Sequence, residues 1–237
     1  MEQEQQRALL IALSDDLALP LLQVKTGLEV LEANPDQARV KKSTEAMSLS
    51  AEAGLRLIEA YRHALAAAES GSLPLEPLAI GAVLDEVAHR ISPYAKQYST
   101  VIEVDVAGRL RPVLAHQPSL FSAMEVLSTS LLRAQAAQSQ ASRYRIVLGA
   151  HRSIDNGIAA GVYGNVNGLS DKTLRAARGL VGRARQPLPA LPPGAASGVL
   201  IADMLCSLMW QPLRASAHRN IPGLATAIPA SKQLKFV

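Results

Sequence analysis

Leucine and valine recur at Leu10, Leu13, Leu17, Leu21, Val24, Leu28 and Leu31, at steps of 3, 4, 4, 3, 4 and 3 residues. That spacing draws one narrow apolar stripe along an α-helix. Asn34-Pro35-Asp36 interrupts it. Asn ends helices well, and Pro suits the first turn of the next one. A second stripe follows at Val40, Met47, Ala51, Gly54, Ile58, Tyr61 and Leu65. Two long helices with one narrow stripe each cannot enclose a core by themselves. Pairing two hairpins closes the stripes on one another. Residues 1–70 are therefore expected to form a helical hairpin that dimerises into a four-helix bundle.

Residues 71–77 (GSLPLEP) read as a linker, and residues 78–237 as a second domain of different pattern. Helices are expected over Ile80 to Ala95, Ser119 to Ala137 and Gly198 to Met209. Strands are expected over Thr100 to Val106, Tyr144 to His151 and Ile158 to Tyr163. Asp155-Asn156-Gly157 reads as a type I′ hairpin turn between the last two. A loop-rich stretch follows Tyr163, and Leu213 to Ala217 with Leu224 to Ile228 make a closing hairpin. Helices on one face of a mixed sheet give an α+β fold class, here an α/β sandwich after the hairpin.

Composition narrows the chemistry. Aromatics are only 3% of a chain that is 49% hydrophobic, so the core is aliphatic. The net charge of +4 is a weak argument for a nucleic-acid partner. The single cysteine, Cys206, excludes an intramolecular disulfide and a cysteine metal cluster, and reads as a small buried hydrophobe. The opening MEQEQQRALL is acidic and polar, unlike a signal peptide. No apolar run reaches the ~18 residues of a spanning helix. A cytoplasmic location without a membrane partner is expected. No metal-ligand spacing and no Ser/His/Asp set is visible, so no metal site is expected.

The order of these elements resembles a histidine kinase core, from about Leu10 to Pro229. That core is a dimerisation and phosphotransfer hairpin followed by a GHKL-type ATP-binding domain. The segment Leu13-Ser14-Asp15-Asp16-Leu17-Ala18-Leu19-Pro20-Leu21 is similar to the family's phosphoacceptor box, Ser-His-Glu-Leu-Arg-Thr-Pro-Leu. Ser14, Leu17, Pro20 and Leu21 match, Asp15 replaces the acceptor histidine, and Asp16 keeps the adjacent acid. Pro20 costs a helix interior ~3 kcal/mol unless its context compensates, so a chance helix would rarely carry it. Asp15 lies off the stripe and is expected to face solvent. A carboxylate acceptor would need a metal and a cation beside it.

The resemblance implies further losses. The asparagine box that holds magnesium corresponds to Glu125 to Leu132, with Thr129 at the metal position. A neutral hydroxyl is a poor ligand for a hard cation. The first glycine box corresponds to Gly164-Asn165-Val166-Asn167-Gly168, with Gly164 in place of the adenine-reading aspartate and Gly168 kept. The second corresponds to Gly194 to Ile201, with Ala196 replacing a phosphate glycine and Gly198 kept. Between them, where kinases carry a lid, Arg175, Arg178, Arg183, Arg185 and the run QPLPALPPG form a candidate partner-binding loop. His63 and His116 read as structural histidines, and Tyr94 and Trp210 as packing anchors.

These losses imply a non-catalytic, histidine-kinase-like scaffold or regulator in two-component-type signalling. Its expected partners are a second copy of itself and a signalling protein such as a response regulator or an active kinase. ATP and magnesium are not expected as cofactors, nor a nucleic acid as partner. Asp15 and Asp16 are expected at a docking surface, although two carboxylates would repel an acidic receiver site. One alternative is a phosphotransferase or residual ATP-binding enzyme with altered motifs. Another is a basic nucleic-acid-binding adaptor using Arg175 to Arg185.

Overall fold

A computed structural model describes residues 2–33, 37–138, 144–153, 157–179, 191–192, 194–209 and 211–231. Helices α1 (Glu2–Ala33) and α2 (Gln37–Glu69) form the hairpin. The second part contains β1 (Glu76–Leu78), α3 (Ile80–Gln97), β2 (Thr100–Val106), β3 (Val113–Ala115) and α4 (Gln117–Gln138). It continues through β4 (Tyr144–Arg152), β5 (Gly157–Gly164), α5 (Asp171–Gly179), α6 (Ala196–Leu208), β6 (Arg214–His218) and β7 (Ile221–Pro229). The main sheet runs β2-β4-β5-β7-β6, with β2 parallel to β4 and every other pair antiparallel. The α+β class and mixed sheet are those the pattern implies.

Two details differ from the sequence reading. Part of the expected linker is a strand: Glu76–Leu78 pairs antiparallel with Val113–Ala115. Three-residue strands are too short to leave a period-two pattern. The loop-rich stretch contains α5. Its start is marked by Ser170, whose Oγ accepts the Thr173 N–H at 3.1 Å, and by Asp171 in the first turn. The turn at 154–156 lies outside the described residues, but β4 and β5 pair as a hairpin with Arg152 opposite Ile158.

One apolar core runs through both parts. Leu13, Leu57, Ala60 and Ala64 of the hairpin join Leu84 and Val87 of α3, Leu127 and Leu131 of α4, and Val199 and Leu205 of α6. Helix α4 is buried at every position from Ala123 to Gln135. It lies between the sheet and a layer made by α2 and α6. Cys206 sits fully buried in this core, and burial pushes its thiol up to about 12. On the hairpin, by contrast, Leu21 is 67% exposed, Leu28 51% and Leu55 58%. No helix among the described residues is long and apolar enough to cross a membrane.

Helices α4 and α6 touch backbone to side chain. A Cβ added to Gly198 would lie 1.8 Å from Ser130 Oγ and 2.8 Å from the Val126 carbonyl oxygen. Gly198→Ala is therefore expected to overpack the core and to destabilise the chain by about 2 kcal/mol in denaturant unfolding. Adding Ser130→Ala should restore part of that loss, since the Val126 carbonyl contact stays.

Candidate functional site

The site begins with a missing hydrogen. In an α-helix the carbonyl of residue 16 accepts from the N–H of residue 20. Residue 20 is proline and has none. The orphan Asp16 carbonyl instead meets Nη1 of Arg133, on α4, at 3.4 Å. Arg133 is 5% exposed, and its Nη2 donates to Ser130 Oγ at 3.2 Å. Its Nε has no hydrogen-bond partner among the described residues. Pro20 itself is buried and faces α2 at Gly54, where an added Cβ would meet its ring in ordinary contact at 3.7 Å.

The side chain of the same residue reaches a second helix. Asp16 Oδ2 accepts the backbone N–H of Ser197 at 2.8 Å and its hydroxyl at 2.5 Å. Ser197 is in the first turn of α6, whose N-cap residue, Ala195, makes no side-chain cap. The first-turn N–H groups of a helix lack partners inside it and favour a negative charge. Asp16 thus caps α6 from 181 positions away in the chain. Sequence reasoning placed Asp16 on an open docking surface. It is 5% exposed and faces the second domain, because a carboxylate there meets both donors.

More polar groups line this seam. Ser50 Oγ donates to Gln23 Oε1 at 2.8 Å, and Gln23 reaches the Tyr98 hydroxyl at 3.5 Å. The Tyr94 hydroxyl contacts that of Tyr98 at 3.3 Å, and burial pushes the Tyr94 hydroxyl up. Glu125 lies 3.7 Å from Arg56 of α2 and 4.0 Å from Arg90 of α3. Burial raises its carboxyl, against the pull of the two arginines. His63 Nε2 and His116 Nδ1 converge on the fully buried Ser119 hydroxyl at 3.0 and 2.8 Å. One hydroxyl proton serves only one ring nitrogen, so the other nitrogen must donate. Burial, then His116, lowers the His63 imidazole.

The far face of the sheet holds a second cluster. His218 Nε2 meets Asp105 Oδ2 at 2.9 Å, and its Nδ1 lies 3.0 Å from Nδ1 of His151. Asp105 also receives Arg219 Nη2 at 2.8 Å. Strands β2 and β6 are opposite edges of the sheet, yet these side chains meet. The β6–β7 corner folds over the sheet at Gly149, where a Cβ would lie 2.9 Å from the His218 ring. Positive φ at Arg219 (46°) and Asn220 (66°) makes the tight turn that allows it. Among the described residues no three His, Cys, Asp or Glu side chains converge as a metal site.

The other sequence-predicted positions scatter around α4 and α6. The backbone of Asp15 is helical, and its side chain lies outside the described residues. The Thr129 hydroxyl donates back to the Glu125 and Val126 carbonyls at 3.1 Å each. Gly164 ends β5 against Ile146, and Gly168 has φ +89° in the loop beyond. That loop is tied to the end of α4, where the Gln138 amide exchanges two bonds with Asn167 at 2.8 and 3.2 Å. Ala196 and Gly198 flank Ser197. Arg175 is exposed on α5. Arg178 is not a free loop residue: it grips Asp203 through two bonds of 2.8 and 2.6 Å and also donates to the Leu213 carbonyl. A half-buried arginine with a buried carboxylate is a structural clamp here. Arg183, Arg185 and Trp210 lie outside the described residues.

Sequence reasoning missed Arg133, Ser197, Asp105, His151 and His218 as members of polar clusters. Pro20 carried one usable signal, because the carbonyl it orphans is fixed by helix geometry. Nothing local marks the donor that answers it.

No protein-family model matches this chain and no curated protein does. Solved structures do. Full-length ShkA in complex with AMPPNP matches with a TM-score of 0.51 at 15% identity, over 97% of this chain and 47% of that one. The chain thus spans about half the length of ShkA. The Acinetobacter baumannii histidine kinase AdeS matches with a TM-score of 0.51 at 14% identity, over 92% of this chain and 98% of that one. A bacterial phosphotransferase matches with a TM-score of 0.50 at 12% identity, over 95% and 97%. The chain therefore has the histidine-kinase-like architecture of a helical hairpin followed by a GHKL-like sandwich.

The histidines give the fold a pH dependence. A His63 imidazole held below its ordinary 6.5 favours the folded state when neutral. That stability is full above 6.5 and is lost as pH falls through 6.5 toward the lowered value. His151, lowered by burial and by His218, acts in the same direction. Glu125 acts in the opposite one, since a raised carboxyl adds stability as pH falls. The Tm should drop between about pH 7.5 and pH 5.5, and His63→Gln with His151→Gln should flatten that drop in differential scanning fluorimetry.

Proposed function

We propose that this chain is a dimeric, histidine-kinase-like regulator that acts by binding other proteins and transfers no phosphoryl group itself. One observation carries the reading. The start of α6, where the resemblance puts a nucleotide triphosphate, is occupied by the carboxylate of Asp16. Three further features support it. Asp15 stands where the acceptor histidine belongs. The Thr129 hydroxyl proton is bound within its own helix. Gly164 offers no carboxylate for an adenine amino group. This donor set does not fit a magnesium-bound nucleotide, so neither ATP nor magnesium is assigned as a cofactor.

The exposed hairpin leucines support a homodimer. Leu21, Leu22, Leu28, Leu55 and Ile58 are large apolar side chains left open on α1 and α2. A second hairpin would cover them and complete a four-helix bundle. The second partner is a signalling protein of the two-component type, such as a response regulator or an active kinase. Burial of Asp16 against α6 removes one of the two carboxylates that would repel an acidic receiver site.

A phosphotransferase reading draws on the equal likeness to the bacterial phosphotransferase. It lacks an acceptor: residues 1–62 hold no histidine, and the His63 ring is engaged with Ser119. The nucleic-acid reading loses Arg178 to Asp203.

Calorimetry should detect no saturable binding of ATP with magnesium in the micromolar range, and such binding would overturn the non-catalytic reading. Light scattering should give about twice the 25.1 kDa of one chain. Leu21→Glu with Leu28→Glu should give monomer, and a wild-type monomer at high concentration would overturn the bundle. Purified receiver domains and kinase hairpins from the same cell should include a binder sensitive to Asp15→Arg.

A further inference from the structure

We propose that Asp105, His218 and His151 form an acid-released latch on the far face of the sheet, which holds the β6–β7 corner down at neutral pH and lets it lift when both imidazoles are protonated. The latch is separate from the polar groups between hairpin and sandwich, and it stands whether or not the chain binds a nucleotide.

The space between the two rings fits one proton. Asp105 Oδ2 is an acceptor held beside Arg219, and it faces His218 Nε2 at 2.9 Å, so that nitrogen carries a hydrogen. A neutral His218 then has a bare Nδ1, which accepts the Nδ1–H of His151 at 3.0 Å. His151 is the more open ring of the two, and it can take a proton on its Nε2 without losing this bond. The next proton must go to His218 Nδ1, where it meets the His151 Nδ1–H head to head. Two N–H groups cannot face each other across 3.0 Å, and His218, 3% exposed, is too buried to leave its charge to solvent.

The surrounding groups do not neutralise two imidazolium ions. Strand β2 brings Asp105 and Glu103 to this face, and Glu103 is taken by Arg145 of β4 at 2.5 Å. Strand β5 brings Tyr163, whose ring lies 5.2 Å from that of His218 and whose hydroxyl burial pushes up to about 12. Strand β6 brings Arg214, the turn after it brings Arg219, and β7 carries no titratable side chain. Helix α5 approaches β6 through Asp171, which accepts the Ala215 N–H. With neutral rings the charges of Asp105 and Arg219 cancel, whereas two protonated rings leave two positive charges in excess. Burial, then His218, lowers the His151 imidazole, so the stability its neutral form adds is full above 6.5 and is lost as pH falls through the lowered value. The His218 ring covers Gly149 and packs beside Tyr163. Lifting the corner therefore uncovers Val147, Tyr163 and Ala225, a small apolar cluster of its own.

The test is NMR of the isotopically labelled full chain at about pH 7.5 and about pH 5, reading the NOE between the His218 and Tyr163 rings. Wild type should show it at the higher pH and lose it at the lower, while the methyl NOEs between Leu127 and Leu131 of α4 persist. His151→Ala removes the opposing N–H, so a charged His218 keeps Asp105 through a charge-assisted bond and the NOE should survive at the lower pH. A merely structural His151 would instead weaken the contact at both pH values. His151→Gln decides the question where the alanine variant does not hold the corner at neutral pH: its amide oxygen accepts from a protonated His218 Nδ1, so its NOE should also survive acid. A wild-type NOE unchanged by acid would overturn the latch, as would its loss in acid in both variants. Loss of the α4 NOEs together with it would mark global unfolding and overturn the latch as well.

Discussion

Proline at position 20 takes one hydrogen-bond donor out of α1, and a guanidinium from the second domain answers it. The Asp16 carbonyl would otherwise lie buried without a partner, at a cost of about 1–3 kcal/mol. Arg133 reaches it, and that contact brings α4 to the place on α1 where Asp16 also points at α6. Three helices are registered by one residue: its carbonyl on α4, its carboxylate on α6, its backbone in α1. A proline inside a helix and a domain interface are here the same feature.

The rest of the seam follows the same logic. Apolar contacts such as Leu57 and Ala64 on the second domain bring the two parts together without choosing a register. The pairs at Ser119, Glu125 and Tyr98 choose it, because each polar group finds its partner in one position only. The cost is a set of buried titratable groups whose protonation states are tied to docking. His63 and Glu125 respond to acid in opposite directions, so the seam responds to pH as a balance rather than as a single switch.

Much of this was legible in the chain itself. The leucine steps gave α1, the period-two strands gave the sheet, and the proline marked the carbonyl left without its helical donor. The histidine-kinase-like order followed from those. The strands at Glu76–Leu78 and Val113–Ala115 were not legible, since three residues carry no period. Nor was the clasp between Asp16 and Ser197, which lie 181 positions apart and differ from ordinary helix residues only in what they meet. The same holds for Asp105 and His218, on opposite edges of the sheet until the β6–β7 corner folds over Gly149. Arg178 was misread for a related reason: it recurs in sequence with Arg175, Arg183 and Arg185, while its partner Asp203 lies 25 positions away on α6.

The continuous core has a consequence for how such chains diversify. A boundary near residue 70 separates two patterns in the sequence, and it is where recombination would be expected to join one hairpin to another sandwich. Yet Leu57, Ala60 and Ala64 pack in the same cluster as Leu127 and Val199. A transplanted hairpin would have to bring a proline, an acid four residues before it, and small residues on α2 at the matching heights. Exchange at that boundary is therefore constrained by packing across both parts.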